Sequence, residues 1–199
     1  MTNTRPTLVL GSSSPFRKEL LSRLMIPFET ANPDINESPL GNETPIQLVE
    51  RLAIEKAQAV ATQFPNALVI GSDQVALHPG DEIVGKPHTH ERAVEQLKTA
   101  SGQQIRLYTG LALINSDSGE IQSEVVPFTV HFKTLSEQTI ESYLRKEEPY
   151  NCAGSVRSEG LGIALFERLE GDDPNALIGL PLIRLVAMLE NANFSLFAD

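Results

Sequence analysis

The chain has 199 residues, 41% hydrophobic and 21% charged, proportions that exclude a disordered or fibrous protein and fit a soluble globular one. Its net charge of −10 argues against nucleic-acid binding as the main task, because that task rests on neutralising many phosphates with Lys and Arg. Cys152 is the only cysteine, so an intrachain disulfide is excluded and a reducing, cytoplasmic setting is expected.

Thr7–Gly11 is a short apolar run, and Pro15–Met25 follows with Phe16, Leu20, Leu21 and Leu24 at helical spacing. Together they predict a strand, a tight turn and a helix. Phe28–Ala31 reads as a second strand, and Asn32–Asn42 as a polar, acidic loop. Thr44, Pro45 and Gln47 fit the N-cap, first helical position and capping-box partner of a long helix to about Gln63. Ala67–Gly71 is a continuous apolar run, the pattern of a strand buried on both faces, and it leads directly into Ser72-Asp73-Gln74.

A turn at Pro79-Gly80-Asp81 precedes Val84-Gly85-Lys86-Pro87, and Thr89 is placed to cap a helix from His90 to about Ala100. Gln104–Asn115 and Glu120–Thr134 predict an antiparallel pair joined at Asp117-Ser118-Gly119. Ser136 caps a helix to about Lys146, a Gly-rich stretch spans Gly154–Gly162, Gly171–Asn175 is a loop, and a last helix runs from Pro181 to about Asn191. Alternating strands and helices followed by a long hairpin imply a mixed α/β sheet in one domain over 1–199, not a doubly wound one. Met1–Gly11 has no apolar stretch of signal-peptide length, and Arg184 interrupts Leu180–Leu189, so no membrane segment is expected.

An acidic protein that holds polyphosphate must gather its few cations in one place. The turn Gly11–Arg17 offers the free N–H groups and positive dipole end of a helix N-terminus, serine hydroxyls, and the planar fork of Arg17. Taken alone, Ser14 reads as an N-cap and Arg17 as a solvated charge, and no Walker lysine follows. Asp73 stands at the carboxyl end of a buried strand, where open α/β sheets place ligands, and can bind a metal or accept a proton from water. Lys86, between Gly85 and Pro87, sits on a constrained turn, and Lys56 on the long helix is a second cation. Asp34 and Glu37 can share a metal or simply keep their loop soluble. His88, His90, His131 and Cys152 lack zinc-ligand spacing, no nucleophile elbow is present, and Gly160-Leu161-Gly162 fails the dinucleotide pattern.

The ordered series of Ser14 and Arg17, Glu37, Lys56, Ser72-Asp73, Gly85-Lys86-Pro87, Thr109-Gly110 and Gly179-Leu180-Pro181 resembles the Maf family of nucleotide pyrophosphatases, over roughly Leu8 to Leu189. The resemblance implies an elongated α/β fold of the inosine-triphosphate-pyrophosphatase type, a mixed sheet with flanking helices and two lobes around a deep central cleft, often dimeric. It implies hydrolysis of a nucleoside triphosphate to monophosphate and diphosphate with a divalent cation, Mg²⁺ first and Mn²⁺ or Co²⁺ as substitutes. Carried over by position, Asp73 is the general base or a metal ligand. Ser14, Arg17, Lys56 and Lys86 are phosphate contacts, and Glu37 is a metal or water contact.

Ser72-Asp73-Gln74-Val75, Cys152-Ala153-Gly154-Ser155 and Ser158–Ile163 look like the branch of that family acting on 7-methyl-GTP. There Phe16, Gln74 and Glu159 match the positions tied to specificity. Methylated guanine is cationic and stacks on an aromatic face, and Glu159 and Gln74 suit its hydrogen-bonding edge. Phe16 stands where Trp is more usual, and Phe16 is equally a residue that packs its helix on the sheet. The rival readings are a dTTP/UTP or modified-nucleotide pyrophosphatase and, from another class, a non-catalytic septum-formation regulator.

Overall fold

The structure is a computed structural model that describes residues 5–197. The domain expected over 1–199 and the stretch read from Met1 include residues 1–4 and 198–199, which lie outside the described residues. Among the described residues, a seven-stranded mixed sheet is flanked by helices. The chain divides into two compact units, the first made of Met1–Gln74, Thr109–Val126 and Asp173–Asp199, the second of Val75–Tyr108 and Pro127–Asp172.

The first unit holds β1 (Thr7–Gly11), α1 (Pro15–Ser22), β2 (Glu29–Ala31), α2 (Pro45–Ala61) and α5 (Leu182–Asn191). It also holds the near parts of β3 (Ala67–His78), β5 (Gln104–Asn115) and β6 (Ile121–Phe132). β1 pairs in parallel with β2 on one side and β3 on the other, with Val9 opposite Glu29 and Val69, and β5 and β6 follow in order. Side chains alternate across this sheet as a strand's twofold period requires. Leu8, Leu10, Leu68, Ile70, Leu111 and Leu113 pack with Leu20 and Leu21 of α1 and Leu185 and Leu189 of α5. Val9, Val69, Ala112 and Ile114 face the other way, against Ala53, Ala57 and Val60 of α2. Each such leucine or valine contributes roughly 1.5–3 kcal/mol by leaving water.

Glycine sets how closely α2 lies on the sheet. A Cβ on Gly71 would fall 2.0 Å from the Ala53 carbonyl oxygen, and one on Gly110 would fall 2.1 Å from that of Val49. The backbone of the helix therefore touches the backbones of β3 and β5, with no side chain between. The expected caps are in place. The Thr44 hydroxyl accepts from the Gln47 N–H at 3.3 Å while the Gln47 side chain accepts from the Thr44 N–H at 3.0 Å, and Ser14, Thr89 and Ser136 cap their helices. Helix α1 ends at Ser22, short of the expected Met25.

The second unit contains β4 (Glu82–Val84), α3 (His90–Ala100), α4 (Glu137–Glu147), β7 (Phe166–Glu170) and the remaining parts of β3, β5 and β6. β4 turns back antiparallel on β3, with Leu77 opposite Ile83. β7, which the sequence pattern does not announce, pairs antiparallel with β6, with a register shift between His131 and Phe132. Phe132 and Phe166 meet edge to face at 5.2 Å.

Candidate active site

In the first unit the middle of β3, the start of α1, the acidic loop and α2 converge on one cluster; β3 runs on through Asp73 to His78, so Asp73 lies mid-strand and not at a strand's carboxyl end as the sequence suggests. Gly71 seats α2 on β3, and two residues further on Asp73 meets Lys56: the ammonium donates to Asp73 Oδ1 at 2.7 Å and pairs with Glu37 Oε2 at 3.0 Å. Lys56 and Asp73 are buried, whereas the Glu37 side chain is 57% exposed. The loop that carries Glu37 is tied to α2 by Arg51. Its guanidinium grips Glu43 through two bonds of 2.7 and 2.9 Å and donates to the Ser38 carbonyl at 3.2 Å.

Arg17 belongs to the same cluster. Burial pushes its guanidinium pKa down, and the carboxylates of Asp73 and Glu37 pull it back up; an arginine under these influences stays cationic. Its Nε donates to the Gly179 carbonyl at 2.8 Å, and the Ser72 hydroxyl donates to the same oxygen at 2.9 Å. Ser14 caps α1, accepting from the Arg17 N–H at 3.4 Å, which leaves its hydroxyl hydrogen to donate. Phe16, the second residue of α1, is half-buried.

Gln74 is more constrained than the sequence suggests. Its Nε2 donates to Thr109 Oγ1 at 2.9 Å and to the Ala176 and Leu177 carbonyls at 2.6 and 3.3 Å. The amide hydrogens are therefore committed inside the protein, and Oε1 is the end that can still accept. The structure also draws in residues to which the sequence assigns no role: Ser72, Thr109 and Asp173. Asp173 is fully buried and accepts from the Ile183 N–H at 2.7 Å. Pro181, at the cap position of α5, has no side chain to cap the helix, and no adjacent residue in the sequence announces that Asp173 does so.

The second unit carries the other two expected residues. Lys86 is exposed on a turn held by Gln96, which donates to the Gly85 carbonyl at 3.1 Å, and by the His88 N–H, which donates to the Tyr150 carbonyl at 3.0 Å. Glu159 stands on the turn before Gly160–Gly162. Its Oε1 lies 3.5 Å from Arg157 Nε, and its Oε2 accepts from the Ser158 hydroxyl at 3.2 Å. Glu147 braces that turn, accepting from the Leu161 N–H at 2.7 Å, and a Cβ on Gly160 would strike its carboxylate at the same 2.7 Å. Cys152 is half-buried, and burial, reinforced by Glu159, pushes its thiol pKa up, the behaviour of an unreactive cysteine.

Could this site hold a divalent cation? Among the described residues no group of three or more His, Cys, Asp and Glu is placed to bind one. Asp73 and Glu37 nevertheless supply oxygen donors of the kind Mg²⁺ takes, one or two carboxylates beside substrate phosphates and several waters. The first unit is thus an α/β frame presenting acids and cations from the middle of a strand, a long helix, a loop and the first turn of a helix, the last a place where anions settle. The match to known proteins is specific: residues 7–192 fit the family model described as Maf-like protein, and the chain belongs to the Maf family. A 7-methyl-GTP pyrophosphatase of Nitrosococcus oceani is 61% identical over 189 residues, covering 95% of this chain and 94% of that one. The proteins of that name from Colwellia psychrerythraea and Pseudomonas syringae pv. tomato are 55% and 58% identical. They cover 97% and 92% of this chain, and 96% and 95% of their own lengths. Among solved structures, the Staphylococcus aureus Ham1 protein is similar over 64% of this chain and 72% of that one, with a TM-score of 0.46 and 14% identity.

Proposed function

We propose that the chain hydrolyses 7-methyl-GTP to 7-methyl-GMP and diphosphate, with 1–199 working as one functional domain. The observation that carries the chemistry is the Lys56–Asp73–Glu37 cluster beside Arg17; the base preference is supported by the relatives' names. Water attacks the α-phosphorus, the bond from that phosphorus to the α–β bridging oxygen breaks, and diphosphate leaves with the electron pair. Asp73 accepts the water's proton, a role worth roughly 10²–10⁴-fold. Arg17, Ser14, Lys56 and Lys86 are assigned to the phosphates, where charge stabilisation and positioning dominate phosphoryl transfer.

Glu37 and Asp73 would hold a divalent cation, Mg²⁺ or, in its place, Mn²⁺ or Co²⁺, which when bound neutralises charge on the phosphate oxygens. Phe16, Gln74 and Glu159 are assigned to the base: Phe16 by stacking on the cationic ring, Gln74 through Oε1, Glu159 by accepting from the guanine N–H edge. We assign the protein to the cytoplasm, where a lone thiol is at home. A homodimer is part of the proposal, and analytical ultracentrifugation checks it. No helix among the described residues is long and apolar enough to cross a membrane.

The test is diphosphate release from a panel of 7-methyl-GTP, GTP, UTP, dTTP and modified nucleotides, with Mg²⁺ or Mn²⁺. Turnover should be highest with 7-methyl-GTP and fall about 10³-fold in Asp73→Asn. Release from UTP or dTTP in preference would overturn the base assignment, and no release from any nucleotide by folded protein would leave the non-catalytic regulator.

A further inference from the structure

The segment between Asp173 and Pro181 holds several of the side chains proposed to meet the nucleotide. Two of its carbonyls do the holding. Ala176 O accepts from Gln74 and Thr109 at 2.6 and 2.9 Å, and Gly179 O accepts from Arg17 and Ser72 at 2.8 and 2.9 Å. A carbonyl can hold a side chain in one orientation only if its own peptide is fixed. Gly179 is fixed in a conformation that other residues rarely adopt, with φ at +110°, and a Cβ there would lie 3.5 Å from Arg17 Nε. Its N–H donates back to the Asn175 and Ala176 carbonyls at 3.2 and 3.1 Å, closing the turn.

What ties the two ends of this segment together is a single carboxylate. Asp173 Oδ1 accepts from the Asn175 backbone and side-chain nitrogens at 3.0 and 3.4 Å, and Oδ2 from the Ile183 and Arg184 N–H groups at 2.7 and 3.3 Å. The latter pair are first-turn donors of α5 that Pro181, at the cap position, has no side chain to satisfy. Charge-assisted bonds to a buried carboxylate are among the stronger ones in a protein.

We propose that Asp173 is a positioning residue: by clamping the segment onto α5 it fixes the Gly179 carbonyl, and through that oxygen it sets the aim of the Arg17 guanidinium at a nucleotide phosphate. With Nε spent on Gly179, the Nη groups of Arg17 face the ligand in one orientation. The inference rests on Arg17 being a phosphate contact, as proposed above.

The experiment is a double-mutant cycle on 7-methyl-GTP hydrolysis with Asp173→Ala, Asp173→Asn, Arg17→Ala and the combinations, together with amide hydrogen exchange over residues 173–184. Asp173→Ala should speed exchange at Gly179, Leu180 and Ile183 and raise KM about 10-fold, with kcat changed much less. Asp173→Asn, nearly the same shape and still an acceptor on one side, should fall between and serves if the alanine variant does not fold. In the Arg17→Ala background either substitution should add no more than about 2-fold to KM, because the two residues act in series. If Arg17→Ala raises KM but Asp173 variants add to it in full, or lower stability with KM unchanged, this inference alone fails. If Arg17→Ala itself leaves KM unaltered, the phosphate role of Arg17 fails and takes the inference with it.

Discussion

The two units present their candidate residues in opposite ways. In the first, Arg17, Glu37, Lys56, Ser72, Asp73 and Gln74 each have protein partners, and Lys56 and Asp73 are buried against each other. In the second, Lys86 stands exposed on a turn braced through its backbone, and Glu159, on a turn braced by Glu147, meets only Arg157 and Ser158 of that same turn. The first set is part of the fold as well as of the proposed chemistry, so its substitutions mix stability with activity. The second set separates them.

The sharpest way to break that contrast is at Gly71. Adding a methyl 2.0 Å from the Ala53 carbonyl must lift α2 from the sheet, and Gly71→Ala should cost about 3 kcal/mol or more in urea unfolding. Undiminished stability would mean that α2 is not seated where described. Next comes the pair Lys56→Met and Lys86→Met. Removing the buried cation deprives Asp73 of its ion-pair partner and should cost about 3 kcal/mol, whereas the exposed lysine should change stability by less than about 0.5 kcal/mol and show itself in KM. Equal melting temperatures for both variants would erase the distinction.

Glu159→Ala sharpens it from the other side: the ratio of kcat/KM for 7-methyl-GTP over UTP should drop about 10-fold, with thermal unfolding unmoved. The smallest effect belongs to His78, in the second unit. Burial holds its imidazole below the ordinary range against a weaker upward pull from Glu82. The unfolded chain therefore takes up that proton first, so stability is full above about pH 6.5 and declines as the pH falls through that value towards the folded-state pKa. His78→Gln should flatten that stretch of the stability curve, and an unchanged slope would show that this histidine does not contribute to it.

Much of this was legible in the chain because its signals are local. A capping box at Thr44 and Gln47 states a helix start within four residues, and the runs Thr7–Gly11 and Ala67–Gly71 state two buried strands by their apolar continuity. β7 was not legible, since Phe166-Glu-Arg-Leu-Glu buries only its first residue and takes its structure from pairing with β6. Asp173 was not legible for a different reason: it caps α5 from ten residues upstream of Ile183, outside any cap pattern, which assumes adjacency. Gln74 lay between these cases. Its residue type suggested a donor and an acceptor, and only the fold shows where the donors go.

The glycines beneath α2 have a consequence for how the site can change over time. The height of Lys56 above β3 is set by main chain resting on main chain at Gly71 and Gly110, not by the aliphatic side chains around it. Drift among those aliphatics can alter melting temperature while leaving the spacing of ammonium and carboxylate intact. Catalytic geometry and core composition are thereby free to evolve on separate clocks, with the glycines as the positions that cannot move.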